Sequence, residues 1–401
     1  MTGAALVFLD DARAREFAPF ALTRPCCELR AGAELIRRRW EIALGQETAG
    51  FVSAPHLADF EEPWGCLPLR RSLPRGAIVV NSRCAVALRA ADRAADLWRC
   101  EGRVAAVRLS APVEPEHLAD HPSLDTLVRP TARESTVAGW WLDQVWDLVR
   151  HLPAMLGDDV PALAERLGCA PRADVTRVGA HPVLVEEGAT VEPLVVFDVT
   201  AGPVLVRRGA AVQAFTRLVG PCYVAEGTAI AGGRVATASL GEACRVHGEL
   251  STSILLGHAN KSHDGFLGHS VLGRWVNLGA GTTNSNLKNT YGSVALWTPR
   301  GVEDTGLQFL GAFVGDHAKT AIGTRLTTGC VIGAGANVIG SGLGPRVIPP
   351  FAWSAGGSEA WELERFLATA ERMMRRRSVT MSAAMRRLLS AAWHQQWSTA
   401  G

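Results

Sequence analysis

No run of 18 or more apolar residues occurs in this 401-residue chain, so no membrane-spanning helix is expected. Charge of one sign is not in excess either. The 41 basic and 39 acidic residues leave a net charge of +2, which gives no bulk attraction to nucleic acid or to a membrane surface. The basic triplets Arg37–Arg39 and Arg375–Arg377 lie in helix-like sequence and read as solvated helix faces. A C-x-x-C pair is missing, and the nine cysteines are odd in number and irregularly spaced, which argues against a disulfide framework and a cysteine zinc site. The opening MTGAALVFLDDARAREF has too short an apolar run for a signal peptide and turns acidic at once. The expectation is a cytoplasmic protein with neither nucleic-acid nor membrane partners.

What is present suffices for two cores: 47% of residues are hydrophobic and 20% charged. The first half reads as α/β. Ala4 to Leu9 and Gly76 to Asn81 are short apolar runs ending in polar turns, as buried strands do, and Val104 to Leu109 predicts a third. Helical spacing runs from Ala31 to Leu44 and stops at Gly45. A second helix is predicted from Trp140 to Leu156, with Pro153 ending or kinking it, and another piece from Pro161 to Leu167. The boundary falls where Gly, Pro and charge cluster, so one domain is expected over residues 1–170 and the next over 175–345.

In that second half helical periodicity disappears. Val185-Glu-Glu-Gly-Ala189, Val206-Arg-Arg-Gly-Ala210 and Val224-Ala-Glu-Gly-Thr228 repeat at spacings of 21 and 18 residues. Eighteen is three hexapeptides. In a coil with three flat faces, one small aliphatic residue per face points inward and the next turns the corner. A direct six-residue step follows at Phe266, Leu272 and Leu278, then at Val314, Thr320, Leu326, Ile332 and Val338. A β-sandwich would show longer strands and wider turn spacing. The pattern therefore predicts a left-handed parallel β-helix. Its end coil needs a cover, and the helical sequence over residues 358–398 is the expected cap or clasp.

One segment breaks the rhythm: Asn260-Lys-Ser-His-Asp-Gly-Phe-Leu-Gly-His269, running on through Asn277, Asn284, Asn286 and Lys288. A solenoid wall needs none of these groups to fold. Histidine titrates near neutrality and can take a proton from an amine attacking a thioester. Amides orient hydroxyls, lysine holds phosphate, and glycine-rich corners offer N–H groups to an oxyanion.

This segment resembles the acetyltransferase half of the bacterial enzyme that makes UDP-N-acetylglucosamine from glucosamine-1-phosphate. Asn277-Leu-Gly-Ala-Gly-Thr282 matches that family's Asn-Ile-Gly-Ala-Gly-Thr without gaps back to His263. The resemblance implies His263 as catalytic base, Asn277 and Asn286 as sugar ligands, and Ala280 as an acetyl-CoA contact. Phe266 stands where the family has a tyrosine, and Ser251 where it has a lysine, so Lys261 and Lys288 are the candidates for the sugar phosphate. Gly315, Asp316 and His317 are candidates for the acetyl-CoA cleft between subunits.

More of the chain resembles an alternative bacterial form of this bifunctional diphosphorylase/N-acetyltransferase. The phrases are Leu22-Thr-Arg-Pro25 with Glu28-Leu-Arg30, Val80-Asn-Ser-Arg83, Trp146-Asp-Leu148, Leu287-Lys-Asn-Thr-Tyr291 and Gly315-Asp-His-Ala-Lys-Thr320. That likeness implies an α/β nucleotidyltransferase-like domain using a nucleoside triphosphate and Mg²⁺, followed by a homotrimeric acetyltransferase. No glycine-rich phosphate loop follows the first strand, where Asp10-Asp11-Ala-Arg-Ala-Arg15 stands instead. Arg13, Arg24, Asn81 and Arg83 are the nucleotide-binding candidates, and Asp10 the metal ligand. Two other readings stay open. In one the first domain keeps only a nucleotide-sugar-binding or supporting role, and in the other His258 with His263 fits a zinc site of the β-helical carbonic anhydrase type.

Overall fold

The computed structural model describes residues 5–119, 123–340, 342–354 and 359–395, and these form two compact units. One contains residues 5–17, 21–147 and 381–395; the other contains 18–20 and 148–380.

The first unit is built on a mixed six-stranded sheet. Its strands are β1 (Leu6–Leu9), β2 (Thr48–Val52), β3 (Ile78–Asn81), β4 (Leu97–Cys100), β5 (Arg103–Arg108) and β6 (Glu134–Thr136), in the order β2-β1-β3-β5-β4-β6. The three apolar runs seen in the sequence are β1, β3 and β5, and β1 is parallel to both β2 and β3. Helix α1 (Ile36–Leu44) starts later than its spacing suggested, because Arg30–Ala31 and Glu34–Leu35 pair across a tight turn. It ends as expected at Gly45, whose φ of 61° is the left-handed cap that glycine adopts without strain.

Trp140 is not helical. Gly139–Trp141 is a strand antiparallel to Cys84–Val86, close enough that a Cβ at Gly139 would lie 2.7 Å from the Ala85 carbonyl oxygen. After a single α-helical turn at Asp147–Arg150, helix α2 runs through Leu152–Arg166 in the second unit. Pro153 neither ends nor kinks it. It sits in the first turn, where its missing N–H was an orphan in any case.

The rest of the second unit is a parallel β-helix with three faces, here A, B and C in chain order around each coil. Face A carries Thr176–Val178, Val196–Asp198 and Thr216–Val219, and later Phe266–Gly268 and Thr283–Asn284. Face B stacks Val183–Val185, Val204–Val206 and Cys222–Val224 in register, so the three repeated phrases lie directly above one another. Face C includes Asn260–Lys261, then Asn277, Lys319–Thr320 and Asn337–Val338. Inward valines, leucines and isoleucines from all faces form one core. Phe266 is not among them: Leu267 takes the inward place, because the polar corner before it resets the six-residue phase.

Coil spacing sets where glycine is required. A Cβ at Gly279 would lie 2.6 Å from the Ala321 carbonyl group of the next coil. Gly279→Ala is therefore expected to lower stability by about 1–3 kcal/mol. Gly157→Ala, in the helix α2 with open space around it, should leave stability unchanged or raise it. Thermal unfolding of the two variants checks the contrast, and equal behaviour would overturn it.

The helical C-terminal sequence is two helices, not one. Helix α3 (Leu363–Arg375) belongs to the second unit and α4 (Ala383–His394) to the first. The break lies at Ser378, with φ of 57°, and Ser382 then caps α4 by accepting the Met385 N–H at 3.1 Å. Helix α4 lies against residues 55–62, with Arg387 paired to Asp59 at 2.9 Å. The predicted extension beyond residue 395 lies outside the described residues.

Candidate functional site

The polar insert of the β-helix is distributed over three corners. At the corner between faces C and A, His263 stands exposed on the turn Ser262–Gly265. That turn is held from both sides. Lys261 occupies an inward position on face C, in register with Val246, and only 2% of it is exposed. Its ammonium donates to the His247 carbonyl at 2.8 Å and to the carbonyl of His263 itself. Burial pushes its pKa down to about 8. From the next coil, Gly281 N–H donates to Asp264 O at 3.0 Å. Lys261, a sugar-phosphate candidate from the sequence, thus holds the histidine turn through these carbonyls. Ala280 lies at this same corner, half-buried.

Face A continues from that corner. The Phe266 ring lies over Gly268, where a Cβ would come within 2.3 Å of the phenyl ring and 2.7 Å of the Asn286 amide nitrogen. At the far corner Asn286 Nδ2 donates to His269 Nδ1 at 2.8 Å, and Phe309 stacks on the imidazole at 5.4 Å. Burial holds the His269 pKa below the usual histidine range, which suits a ring accepting at Nδ1. His263, Phe266 and Asn286 therefore follow one another across a single face: an exposed imidazole, an apolar floor and an amide. Lys288 lies in the inserted segment after Asn286 and donates to Ser293 O at 2.9 Å, so its ammonium is already held by its own loop.

Asn277 is on face C, where its Oδ1 accepts from Asn260 Nδ2 at 2.7 Å. Gly315, Asp316 and His317 lie at the third corner, between faces B and C. Asp316 takes the Arg274 N–H at 2.7 Å, and His317 is buried with Phe366 of α3 edge-on to its ring at 6.2 Å. They are covered by α3 and share no corner with Ala280, so one chain does not join them into the expected acetyl-CoA cleft. Within one chain the histidines do not gather into a ligand set either. His258 and His263 stand at opposite ends of face C, and among the described residues no three potential ligands gather.

In the first unit Asp11, Asn81 and Arg83 meet at the carboxyl ends of the neighbouring parallel strands β1 and β3, the usual ligand edge of such sheets. Arg83 Nε and Nη2 donate to the Asp11 carboxylate at 2.8–3.0 Å, and Asn81 Nδ2 donates to it at 3.0 Å. Burial works to raise the Asp11 pKa, but Arg83 holds it below the ordinary value. Sequence reasoning passed over Asp11. Its signal was the second acid at the strand end.

Asp10 has another task. It is buried, accepts Ser53 Oγ at 2.6 Å and Cys26 N–H at 3.0 Å, and burial raises its pKa. Through Oδ2 that arrangement ties a loop to the sheet. Arg24 forms a buried pair with Glu62 at 2.8 Å. Arg13, paired loosely with Glu16 at 3.5 Å, stays partly exposed.

Residues 6–167 match the sugar nucleotidyl transferase family. The first half is therefore a sugar nucleotidyltransferase-type domain, joined here to a β-helix. A relative from Sulfurisphaera tokodaii, a bifunctional sugar-1-phosphate nucleotidylyltransferase/acetyltransferase, is 32% identical over 90 residues, 22% of this chain and 22% of that protein. The match thus spans about a fifth of the relative's length. Among the described residues no helix is long and apolar enough to cross a membrane.

Proposed function

We propose that this chain is a two-site sugar-phosphate transferase. Its β-helix transfers the acetyl group of acetyl-CoA to the amine of an amino-sugar phosphate, with glucosamine-1-phosphate as the first candidate. Its N-terminal domain joins the sugar phosphate to the nucleotide of UTP, releasing pyrophosphate, to give UDP-N-acetylglucosamine or a related nucleotide sugar. The observation that carries this reading is the His263–Phe266–Asn286 order across face A. The sugar amine attacks the thioester carbonyl, the C–S bond breaks, and His263 accepts the proton that the amine loses. CoA leaves as the thiolate and becomes the thiol by taking that proton back from His263. Asn286 and Asn277 orient hydroxyls of the sugar.

Asn277 lies on face C and not on face A with Phe266 and Asn286, which favours a site completed between copies. The corner bearing His263 also exposes Leu194 at 65%, Phe215 at 78% and Ile322 at 80%, an apolar stripe suited to burial against a second prism. A homotrimer with the active site between prisms satisfies both. Mg²⁺ accompanies the nucleoside triphosphate, and Arg13 with the Asp11–Asn81–Arg83 edge faces the phosphates. Acetyl-CoA, UTP and nine free cysteines together favour the cytoplasm.

One observation favours a second reading of the first domain: Arg24 and Arg83 are already neutralised by Glu62 and Asp11. In that reading the domain binds a nucleotide sugar without turnover. A split assay separates the two, following thiol release from acetyl-CoA with glucosamine-1-phosphate and pyrophosphate release from UTP with N-acetylglucosamine-1-phosphate. Both signals are expected. Thiol release alone would assign the second reading to the first domain, and neither signal with any amino-sugar phosphate would overturn the proposal.

A further inference from the structure

The corner between faces B and C departs from its own repeat. The third residue after each face-B strand is Gly188, Gly209 and Gly227 in the early coils, with φ of 85°, 68° and 68°. That is the inexpensive choice for left-handed backbone. The next coils place Ala243, His258, Trp275 and His317 there, still left-handed at φ of 54°, 51°, 63° and 61°, before glycine returns at Gly335. Non-glycine residues there cost roughly 1–3 kcal/mol each, and such outliers gather where a site needs the side chain. The rings form a stack: His258 on Trp275 at 4.1 Å and 6°, then His317 at 6.3 Å.

Beside the stack runs an outward polar column on face C, with Arg245, Asn260, Asn277, Lys319 and Asn337 in register. The C-terminal end of α3 closes over it. The resulting pocket is lined by His258, Trp275, Asn260, Asn277, Arg376 and Arg377. Its charge is one-sided. Arg377 donates to Ala243 O at 3.1 Å, and among the described residues neither it nor Arg376 pairs with a carboxylate. The acids nearest this corner, Glu242 and Asp316, are engaged by Arg274. Burial and the neighbouring Arg245 and Arg376 cations hold the Arg377 pKa below the usual arginine value, and burial brings Lys319 to about 8. Helix-end cations are commonly explained by the helix dipole, but Arg372 and Arg375 in the last turn already serve it. Crowded arginines without counter-charge are unfavourable unless an anion joins them.

We propose that this pocket binds a phosphate monoester, held by the Arg376 and Arg377 guanidinium groups and oriented by the Asn260–Asn277 amide pair. Guanidinium forks match phosphate oxygens in pairs, and the amides select a neighbouring hydroxyl. Resting on the acetyl-transfer reading, the monoester has two sources: the amino-sugar 1-phosphate or the 3′-phosphate of CoA. The first supplies the phosphate contact that Lys261 and Lys288 do not make.

The test is calorimetric titration of the full-length protein with inorganic phosphate, glucosamine-1-phosphate, CoA and dephospho-CoA. The comparison is with Arg376→Gln/Arg377→Gln, and the control is Arg375→Gln, whose partner is Glu371. Losing charge-assisted hydrogen bonds should weaken phosphate binding at least ~10-fold in the double variant, and the control should match the parent. If glucosamine-1-phosphate alone loses affinity, the sugar is the source. If the advantage of CoA over dephospho-CoA vanishes, the donor is. Equal affinities in parent and double variant, with equal melting temperatures, overturn the proposal even where thiol release is observed. Arginine-dependent phosphate binding without any thiol release leaves the pocket standing and removes the acetyl-transfer reading.

Discussion

His263→Gln is expected to lower acetyl transfer by ~10²–10⁴-fold, the range general base catalysis contributes, while leaving pyrophosphate release from UTP unchanged. Glutamine keeps a hydrogen-bonding side chain of similar reach and removes the group that accepts the proton. The substitution should also be silent in folding. His263 is exposed, and its turn is held through backbone carbonyls by Lys261 and through Asp264 O by Gly281, with no demand on the imidazole. Thiol-release kinetics and the melting temperature of the same preparation check both halves. Turnover within a few-fold of the parent would place the base elsewhere. His247 is then the first alternative, since its Nε2 lies 3.1 Å from Asp264 Oδ1 on the same corner.

Arg83→Met should destabilise the first unit by about 3–5 kcal/mol, the usual consequence of leaving one member of a buried ion pair behind. Asp11 would keep Asn81 Nδ2 and the Ala14 N–H at 2.9 Å but lose three contacts to a full positive charge. The second partner of Arg83, Asp143, is more than half exposed and adds little. The double variant Asp11→Asn/Arg83→Met should recover part of the loss, because no charge is then stranded. Hydrogen exchange of the β1 and β3 amides localises the effect to this edge, and unchanged protection would show that the pair contributes nothing.

The same pair predicts the acid response. The Asp11 pKa lies below the ordinary 3.8, so the unfolded chain binds more protons between the two values and stability rises with pH there. The contribution is complete above 3.8 and disappears as pH drops through the folded-state value. Arg83→Met should therefore show a flatter stability profile in this range than the parent.

Much of the architecture was legible in the chain, because the signals are local. Strand runs such as Leu6–Leu9 are apolar throughout when both faces are buried, and a stacked coil repeats its inward residue and its corner. The polar segment around His263 stood out for the same reason: it breaks a repeat that folding alone would preserve. Helix limits were less legible. Trp140 carries helical spacing but pairs with Ala85, 55 positions away, and no local pattern encodes that partner.

The sequence by itself determined the two architectures, the corner histidine and the amides that accompany it. Only the tertiary structure decided what the charged residues do. Lys261, Arg24 and Arg83 read as ligands for phosphate, and the fold also gives each an internal partner, in carbonyls for the lysine and in carboxylates for the arginines. Arg376 and Arg377 read as a solvated helix face, but α3 turns them onto the Asn260–Asn277 column without a counter-charge. The physical reason is range. Backbone periodicity is set by neighbours a few residues apart, whereas the task of a charge depends on which distant group shares its low-dielectric surroundings.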